Sequence, residues 1–383
     1  MPMDVYTSKR VRLTLDDAAF SSGGEGEVHR VLSGFAAQGE VCVKIYYKDK
    51  RTGLLEAKVR YMVKNPPSRT EGTGFMLCWP IDFVTDASGV FMGFMMRMAY
   101  PGSRQLIALT ATKLNRKFDS EWQMRYDRSN GKYALVSRMK LMNNIAIPVS
   151  ILHHTGKYVL KDFKPENVLV TYDGRVSLVD MDSVQISENG RLLFPGTGMT
   201  PNYIPSEYYS RSVGKDVCEV LEVSWDEFAV GTVFYQLLFG LHPYCVTPCA
   251  TSEDDTNDIF RNIARGLFPF GPNRSQIRSY PPLHDKFKVL PPKLQNLFLR
   301  TFSDVPSERP SAEDWGKVIH ELILSAGPVP QPSPKPVPSP SPTPVPSLAP
   351  APEPTRSTGH KAQKIILWII GVIVAVVFLL AIA

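Results

Sequence analysis

The stretch LKDFKPENVLV at 160–170 gathers a carboxylate (Asp162), an ammonium (Lys164) and an amide (Asn167) around one proline, then runs into an apolar tail. Such a set is improbable in an ordinary surface loop. Downstream, VSLVDMDSVQI at 176–186 is an apolar strand that delivers Asp180, and a carboxylate presented this way suits a hard metal cation. Upstream, VCVKIY at 41–46 places Lys44 inside an apolar strand, where an ammonium is costly unless it meets an anion. Taken alone, Lys44 reads equally well as an edge-strand lysine facing solvent. SSGGEGEV at 21–28 is a glycine-rich turn, whose backbone amides can approach phosphate oxygens without side-chain obstruction. Taken alone, that feature is common.

Around these motifs the pattern changes along the chain. Strand-like alternation occupies 11–15, 27–32 and 40–47, a helix is expected over 51–64, and further strands over 75–84 and 90–98. From about residue 103 the periodicity is longer and helical, notably over 134–154, 225–240, 257–266 and 291–302. A strand-rich first third followed by a helix-rich remainder suggests two lobes.

The 160–170 string resembles the protein-kinase catalytic loop HRDLKPENVLV, and the other motifs fall in the order that family requires. SSGGEGEV resembles its glycine-rich loop, with Gly23, Gly24, Gly26 and Val28 the nucleotide-binding candidates and Ser21 in place of the first glycine. The resemblance implies an α+β, bilobal protein-kinase-like fold with a β-rich N-lobe over 8–98 and an α-helical C-lobe over 99–325. It also implies ATP as cofactor with Mg2+ or Mn2+. Lys44 would hold the α- and β-phosphates, and Glu56, the sole acidic residue between Asp49 and Glu71, would pair with it from the following helix. Asp162 is then the catalytic base, Lys164 neutralises the transferring phosphoryl group, and Asn167 and Asp180 hold the metal. Lysine two residues after the base is the serine/threonine form of the loop. Two departures stand out. Leu160-Lys161 replaces His-Arg, and Asp180-Met181-Asp182-Ser183 replaces the DFG run, as in a divergent bacterial-type subgroup. Asp182 could assist a metal or simply cap a turn.

Later landmarks match structural positions of the same family. TPNYIPSE at 200–207 ends an activation segment, with Thr197 and Thr200 as candidate phosphosites and Thr200 expected beside Asp162 and Lys164. WDEFAVG at 225–231 resembles the helix-F signature. VPSERPSAEDW at 305–315 brings Arg309, expected to pair with Glu207. The hinge between lobes should fall near Met96–Ala99.

The rest of the chain is of another kind. Of 33 prolines in 383 residues, many alternate with Ser, Val, Thr or Ala beyond residue 327. Proline lacks an amide donor and fixes φ. Residues 327–363 are therefore expected as a disordered, polyproline-like tether, with PxxP spacing that could also dock SH3-like partners. Residues 364–383 contain IILWIIGVIVAVVFLLAIA, long enough to cross the ~30 Å hydrocarbon core as a helix. Arg356, His360, Lys361 and Lys364 precede it and favour a cytoplasmic N-terminal flank. The N-terminus has no apolar signal core. Five scattered cysteines without a CxxC pair fit a reducing compartment, and a net charge of +6 does not indicate nucleic acid.

The expectation is a single-pass membrane protein with a C-terminal anchor and a cytoplasmic serine/threonine kinase domain, acting in signalling. Its partners would be protein substrates near the membrane, itself in trans, and, by the same resemblance, a cognate phosphatase. The competing class is a pseudokinase scaffold that binds nucleotide without turnover, motivated by the missing first glycine and the altered DFG. A kinase for a lipid or other small molecule is a third reading.

Overall fold

The computed structural model describes residues 2–35, 40–211, 219–249 and 258–330. The tether beyond residue 330 and the apolar segment at 364–383 lie outside the described residues. Among those described, no helix is long and apolar enough to cross a membrane.

The first hundred residues build an antiparallel sheet. Its strands are β1 (Met3–Thr7), β2 (Arg12–Leu15), β3 (Ser21–Ser22), β4 (Gly26–Ser33), β5 (Val41–Tyr46), β8 (Pro80–Thr85) and β9 (Phe91–Arg97), in the order β2-β1-β8-β9-β5-β4-β3. A further pairing of β2 with β4 closes the sheet upon itself, leaving few open edges. β5 lies between β4 and β9 and is buried along its whole length, which is why it reads as an unbroken apolar run around Lys44. Gly26 is required where β4 crosses β5, since a Cβ there would lie 2.2 Å from the carbonyl oxygen of Ile45.

Helix α1 (Gly53–Lys64) follows β5. Thr52 caps it, accepting a hydrogen bond from the Leu55 amide at 3.2 Å, and Lys58, Val59 and Met62 face inward. The expected strand at 75–84 divides. β6 (Glu71–Gly72) and β7 (Phe75–Leu77) join a second sheet with strands from later in the chain, at 104–105, 168–170 and 176–178, whereas β8 resumes at Pro80 in the first. The two register sets are separated at Cys78-Trp79, where Trp79 is buried and donates to the Met62 carbonyl of α1 at 3.0 Å.

The second half is mainly helical: α2 (Ile107–Thr110), α3 (Ser120–Tyr126), α4 (Gly131–His153), α5 (Ser224–Phe239), α6 (Ile259–Ala264), α7 (Pro292–Thr301) and α8 (Ala312–Ala326). Short strands β10 (Arg104–Gln105), β11 (Tyr158–Val159), β12 (Val168–Val170), β13 (Val176–Leu178), β14 (Gln185–Glu188) and β15 (Arg191–Phe194) interrupt the helices around the catalytic-loop motif. β13 pairs parallel with β7, register Val176–Phe75 to Leu178–Leu77, so backbone hydrogen bonds tie the late strand to the early part of the chain.

α5 is apolar almost all round and is buried on nearly every side, as expected of a central helix. Gly240 ends it in the left-handed conformation. Arg309 is 4% exposed and grips Glu207 through two contacts, at 2.5 and 2.8 Å, while also donating to the carbonyls of Ser224 and Thr301. The pair anticipated from sequence therefore forms, and it fixes the end of the 200–207 segment to the helical core.

Glu227 on α5 has its carboxyl pushed up to about 7, by burial above all, with His153 and Arg309 opposing. A carboxyl whose folded value lies above its unfolded one binds more protons when folded, so its contribution to stability falls as pH rises from about 4.5 to 7. Replacing it by glutamine removes the charge to be buried. Urea unfolding should find Glu227→Gln stabilised at pH 8, by on the order of 1–3 kcal/mol, and nearly neutral at pH 4.5. An equal effect at both pH values would refute the assignment.

Candidate active site

The site is assembled around β5 and the turns that follow β11 and β13. Lys44 is 7% exposed, and its Nζ donates to Asp180 Oδ1 at 2.8 Å and to Asp182 at 2.7 and 3.0 Å. Tyr46, two residues along β5 and therefore on the same face, donates its hydroxyl to Asp182 Oδ2 at 2.6 Å. Burial alone would lower the Lys44 ammonium. The Asp182 and Asp180 carboxylates overturn that and hold it above the ordinary lysine range. Burial likewise would raise Asp182, but Lys44 and the Tyr46 hydroxyl keep it below the usual carboxylate value. Asp180 goes the other way: burial first, then the Asp182 charge, pushes it up. The side chain of Asp180 is 39% exposed and that of Asp182 0%. Asp180 is thus the carboxylate that can meet an incoming cation, whereas Asp182 belongs to the interior.

Glu56 does not meet Lys44. It accepts from Arg60 at 2.9 and 2.7 Å, one turn further along α1. The reason is helical register: α1 turns Lys58, Val59 and Met62 inward, and Glu56 precedes Lys58 by two residues, roughly 200° around the axis. The expected helix carboxylate is therefore replaced by Asp182. A third carboxylate, Glu25 of the glycine turn, lies 3.8 Å from Lys44 Nζ. Burial, followed by the Asp182 charge, raises it.

Gly23 and Gly24 have open space where a side chain would stand, and Gly23 donates to the Gly26 carbonyl to close the turn. Val28 packs with Met98, Ala99 and Val179 against the buried cluster of Tyr46, Phe94 and Met96, so an apolar patch joins the glycine strand to the segment expected as a hinge.

The catalytic-loop motif forms a second knot. Lys164 Nζ reaches Asp162 Oδ2 at 2.6 Å and Thr200 Oγ1 at 3.0 Å, while the Thr200 hydroxyl donates to Asp162 Oδ1 at 2.7 Å. The threonine expected beside the pair is there. Asn167 donates through Nδ2 to the Asp162 carbonyl at 3.0 Å, which leaves its amide oxygen as the acceptor. The Val179 amide donates to the Asn167 carbonyl at 3.0 Å, coupling the loop to the strand that delivers Asp180.

Asp226 of α5, read from sequence only as a landmark, holds this loop. Its buried carboxylate accepts from the amides of Leu160 (2.6 Å) and Lys161 (3.0 Å) and contacts His153 Nε2 at 2.9 Å. The neighbouring Trp225 indole donates to the Lys161 carbonyl at 2.7 Å. Lys161 itself, at φ 61°, sends its ammonium to the Gly196 carbonyl at 2.6 Å. Asp182, Tyr46, Lys58 and Asp226 were not legible as a set, although the DMDS departure was the signal that something near Lys44 had changed.

A family model described as a protein kinase domain matches residues 116–319. β5 and the glycine turn lie N-terminal to that match. Protein kinase YegI of Escherichia coli O157:H7 is 27% identical over 176 residues, 45% of this chain and 26% of that protein. The K12 counterpart is 27% identical over 185 residues, 47% and 27% respectively. Serine/threonine protein kinase ypkA of Aspergillus fumigatus is 25% identical over 170 residues, 43% and 22%. The alignments thus span about a quarter of the length of these curated relatives.

Asp226→Ala would leave two buried amides without an acceptor, each costing about 1–3 kcal/mol. Hydrogen-exchange mass spectrometry should then find the amides of residues 160–161 exchanging markedly faster, with β1–β5 unchanged. Unaltered protection at 160–161 would show that Asp226 does not hold the loop.

Proposed function

The chain belongs to the protein kinase domain family, and from that premise we propose that it is a serine/threonine protein kinase tethered to the cytosolic face of a membrane. The observation that carries the reading is the Asp162–Lys164–Thr200 knot lying in one site with the Lys44–Asp180 pair. A base, a charge neutraliser, a phosphate-binding lysine and a metal-binding carboxylate are the parts that phosphoryl transfer requires, since its catalysis is mostly positioning and electrostatics.

A divalent cation suits the donors present. Asp180 offers a partly exposed carboxylate and Asn167 an amide oxygen, the hard oxygen ligands that Mg2+ and Mn2+ prefer. Bound there with ATP, the metal would neutralise the phosphate charge. The chain's own groups do the rest. Asp162 accepts or orients the proton of the attacking hydroxyl, and the Thr200 hydroxyl fixes that carboxylate. Lys164, between Asp162 and Thr200, faces the charge that develops on the transferred group. Lys44 supplies its ammonium to the α- and β-phosphates, and Gly23 and Gly24 leave room for the phosphates beneath the turn.

Protein hydroxyls are the favoured substrate class because the 200–207 segment is anchored as a platform by Glu207–Arg309 and by Thr200. The tether would let the domain range roughly 100 Å from the bilayer and meet membrane-bound substrates, including other copies of itself, at raised effective concentration. Apolar residues 365–383 would supply the anchor.

The full chain, incubated with Mg2+ and labelled ATP, should incorporate phosphate into serine or threonine. Asp162→Asn should reduce incorporation at least about a hundredfold, as loss of a general base does. A wild type that binds nucleotide yet transfers no more than the variant would establish the pseudokinase scaffold instead. Deleting 365–383 should move the protein to the soluble fraction without loss of transfer to a soluble peptide. A deletion that still sediments with membranes would remove the anchor from the account.

A further inference from the structure

We infer that Asp182 is the positioning residue for Lys44, having taken over the task from the helix carboxylate, and that α1, whose inward polar side chain is Lys58, leaves that task to it. The inference rests on the kinase reading and specifies how its phosphate-binding lysine is held.

Three observations carry it. First, Asp182 is fully buried and its carboxylate takes its hydrogen bonds from β5: both oxygens receive Lys44, and Oδ2 also receives Tyr46. A turn cap would instead point its oxygens at nearby backbone amides. Here the turn is closed by Ser183, whose amide and hydroxyl both donate to the Asp180 carbonyl, at 3.1 and 2.7 Å. Asp182 is therefore free of that duty. Second, α1 presents no carboxylate to the interior. Its single acidic residue, Glu56, pairs with Arg60, and its inward polar side chain is Lys58, 2% exposed. Third, Lys58 is the wrong sign to hold Lys44. Its Nζ donates to the Pro195 carbonyl at 3.2 Å, and burial lowers its ammonium to about 8, with the Asp182 charge opposing.

The charge arithmetic explains why the two exchanges come together. A carboxylate at position 58 beside a buried Asp182 would place two anions against one ammonium, and like charges in a low-dielectric site are strongly unfavourable. With lysine at 58, the buried carboxylate keeps its hydrogen bonds to β5 without a second anion from α1. A functional consequence follows. The lysine is oriented by a residue two positions from the metal-binding Asp180, in the same turn, so its placement does not depend on the rotation of α1. The helix is coupled instead to the activation segment, through Lys58 and Pro195.

The test is a charge-relocation cycle on the full chain, read by Mg-ATP affinity, by KM for ATP against kcat, and by thermal melting. Asp182→Asn, nearly isosteric, should weaken ATP binding by about tenfold or more, the loss of a charged hydrogen bond. The Kd and KM for ATP should rise more steeply than kcat falls, while KM for the peptide stays put. Lys58→Glu alone, which crowds two carboxylates, should also lose ATP affinity. The combination Lys58→Glu with Asp182→Asn should recover it to within a few-fold of wild type, because one carboxylate again faces Lys44. A merely structural role for Asp182 would show as lower melting temperature with unchanged ATP affinity, and relocation would not rescue it. Additive losses in the combined variant, or a Asp182→Asn protein with wild-type affinity and kinetics, overturn the inference. If Asp182→Asn does not fold, the single and combined Lys58→Glu variants decide: equal behaviour of the two overturns it. A wild type that neither binds nor uses ATP overturns the kinase reading itself, and this inference with it, and is distinguished from the other outcomes by the wild-type control alone.

Discussion

One buried ammonium joins the two halves of the molecule. Lys44 comes from the centre of the β5–β9 sheet, and the carboxylates that neutralise it come from the turn after β13, over a hundred residues later. An unpaired charge at that depth would cost several kcal/mol, so either the lysine finds its anions or β5 cannot be buried on both faces as it is. The same contact dictates the surrounding chemistry. Tyr46 must present its hydroxyl to Asp182, and Ser183, rather than Asp182, must close the turn. Asp180, left nearer the solvent, remains available to an outside cation. Stability and site geometry are thus one problem here, solved by a single set of side chains.

The second half of the site obeys the same logic with the signs reversed. There the buried charge is the Asp226 carboxylate, and its partners are backbone amides at 160 and 161 and the His153 ring. Amides pointed at a carboxylate form charge-assisted hydrogen bonds, shorter and stronger than neutral ones. Because α5 is buried on nearly every side, Asp226 is a fixed post, and the loop bearing Asp162 and Asn167 is referred to it. Arg309 and Glu207 perform the equivalent task for the 200–207 segment, from α8's approach rather than α5's centre. Side chains on irregular backbone are thereby placed with the precision of helices.

What the sequence disclosed and what it concealed divide along a physical line. Contacts local in sequence, or anchored by a distinctive motif, were legible: the β5 lysine, the knot of Asp162, Lys164 and Thr200, and the Arg309–Glu207 pair. Contacts that depend on the rotation of a helix were not. Between Asp49 and Glu71 only Glu56 is acidic, which made it the natural partner for Lys44, yet register alone turns it toward Arg60. The stretch 75–84 reads as strand-like because it is apolar apart from Pro80 and Asp82. Its division between two sheets at Cys78-Trp79 follows from the long-range pairing of β7 with β13, which no local pattern encodes, while β8 turns back onto β9 in a local hairpin. Asp182 was ambiguous for a related reason. An aspartate in a turn is ordinarily a cap, and only the burial of its neighbours distinguishes an interior carboxylate from a local one.

Backbone strain completes the case for a preorganised site. Among the described residues, four non-glycine positions have positive φ, and two of them are Lys161 and Asp180. A left-handed residue other than glycine costs roughly 1 kcal/mol or more and persists only where its surroundings over-determine it. Both are so constrained. Lys161 is held at its amide by Asp226, at its carbonyl by Trp225 and at its ammonium by Gly196. Asp180 is held at its carbonyl by Ser183 and at its carboxylate by Lys44. The positive φ at 161 turns the chain immediately before Asp162, and that at 180 sets the aim of Asp180. Strain located at those two residues, and restrained from several sides, is what a site must carry if Asp162 and Asp180 are to converge from separate strands without waiting for a ligand to arrange them.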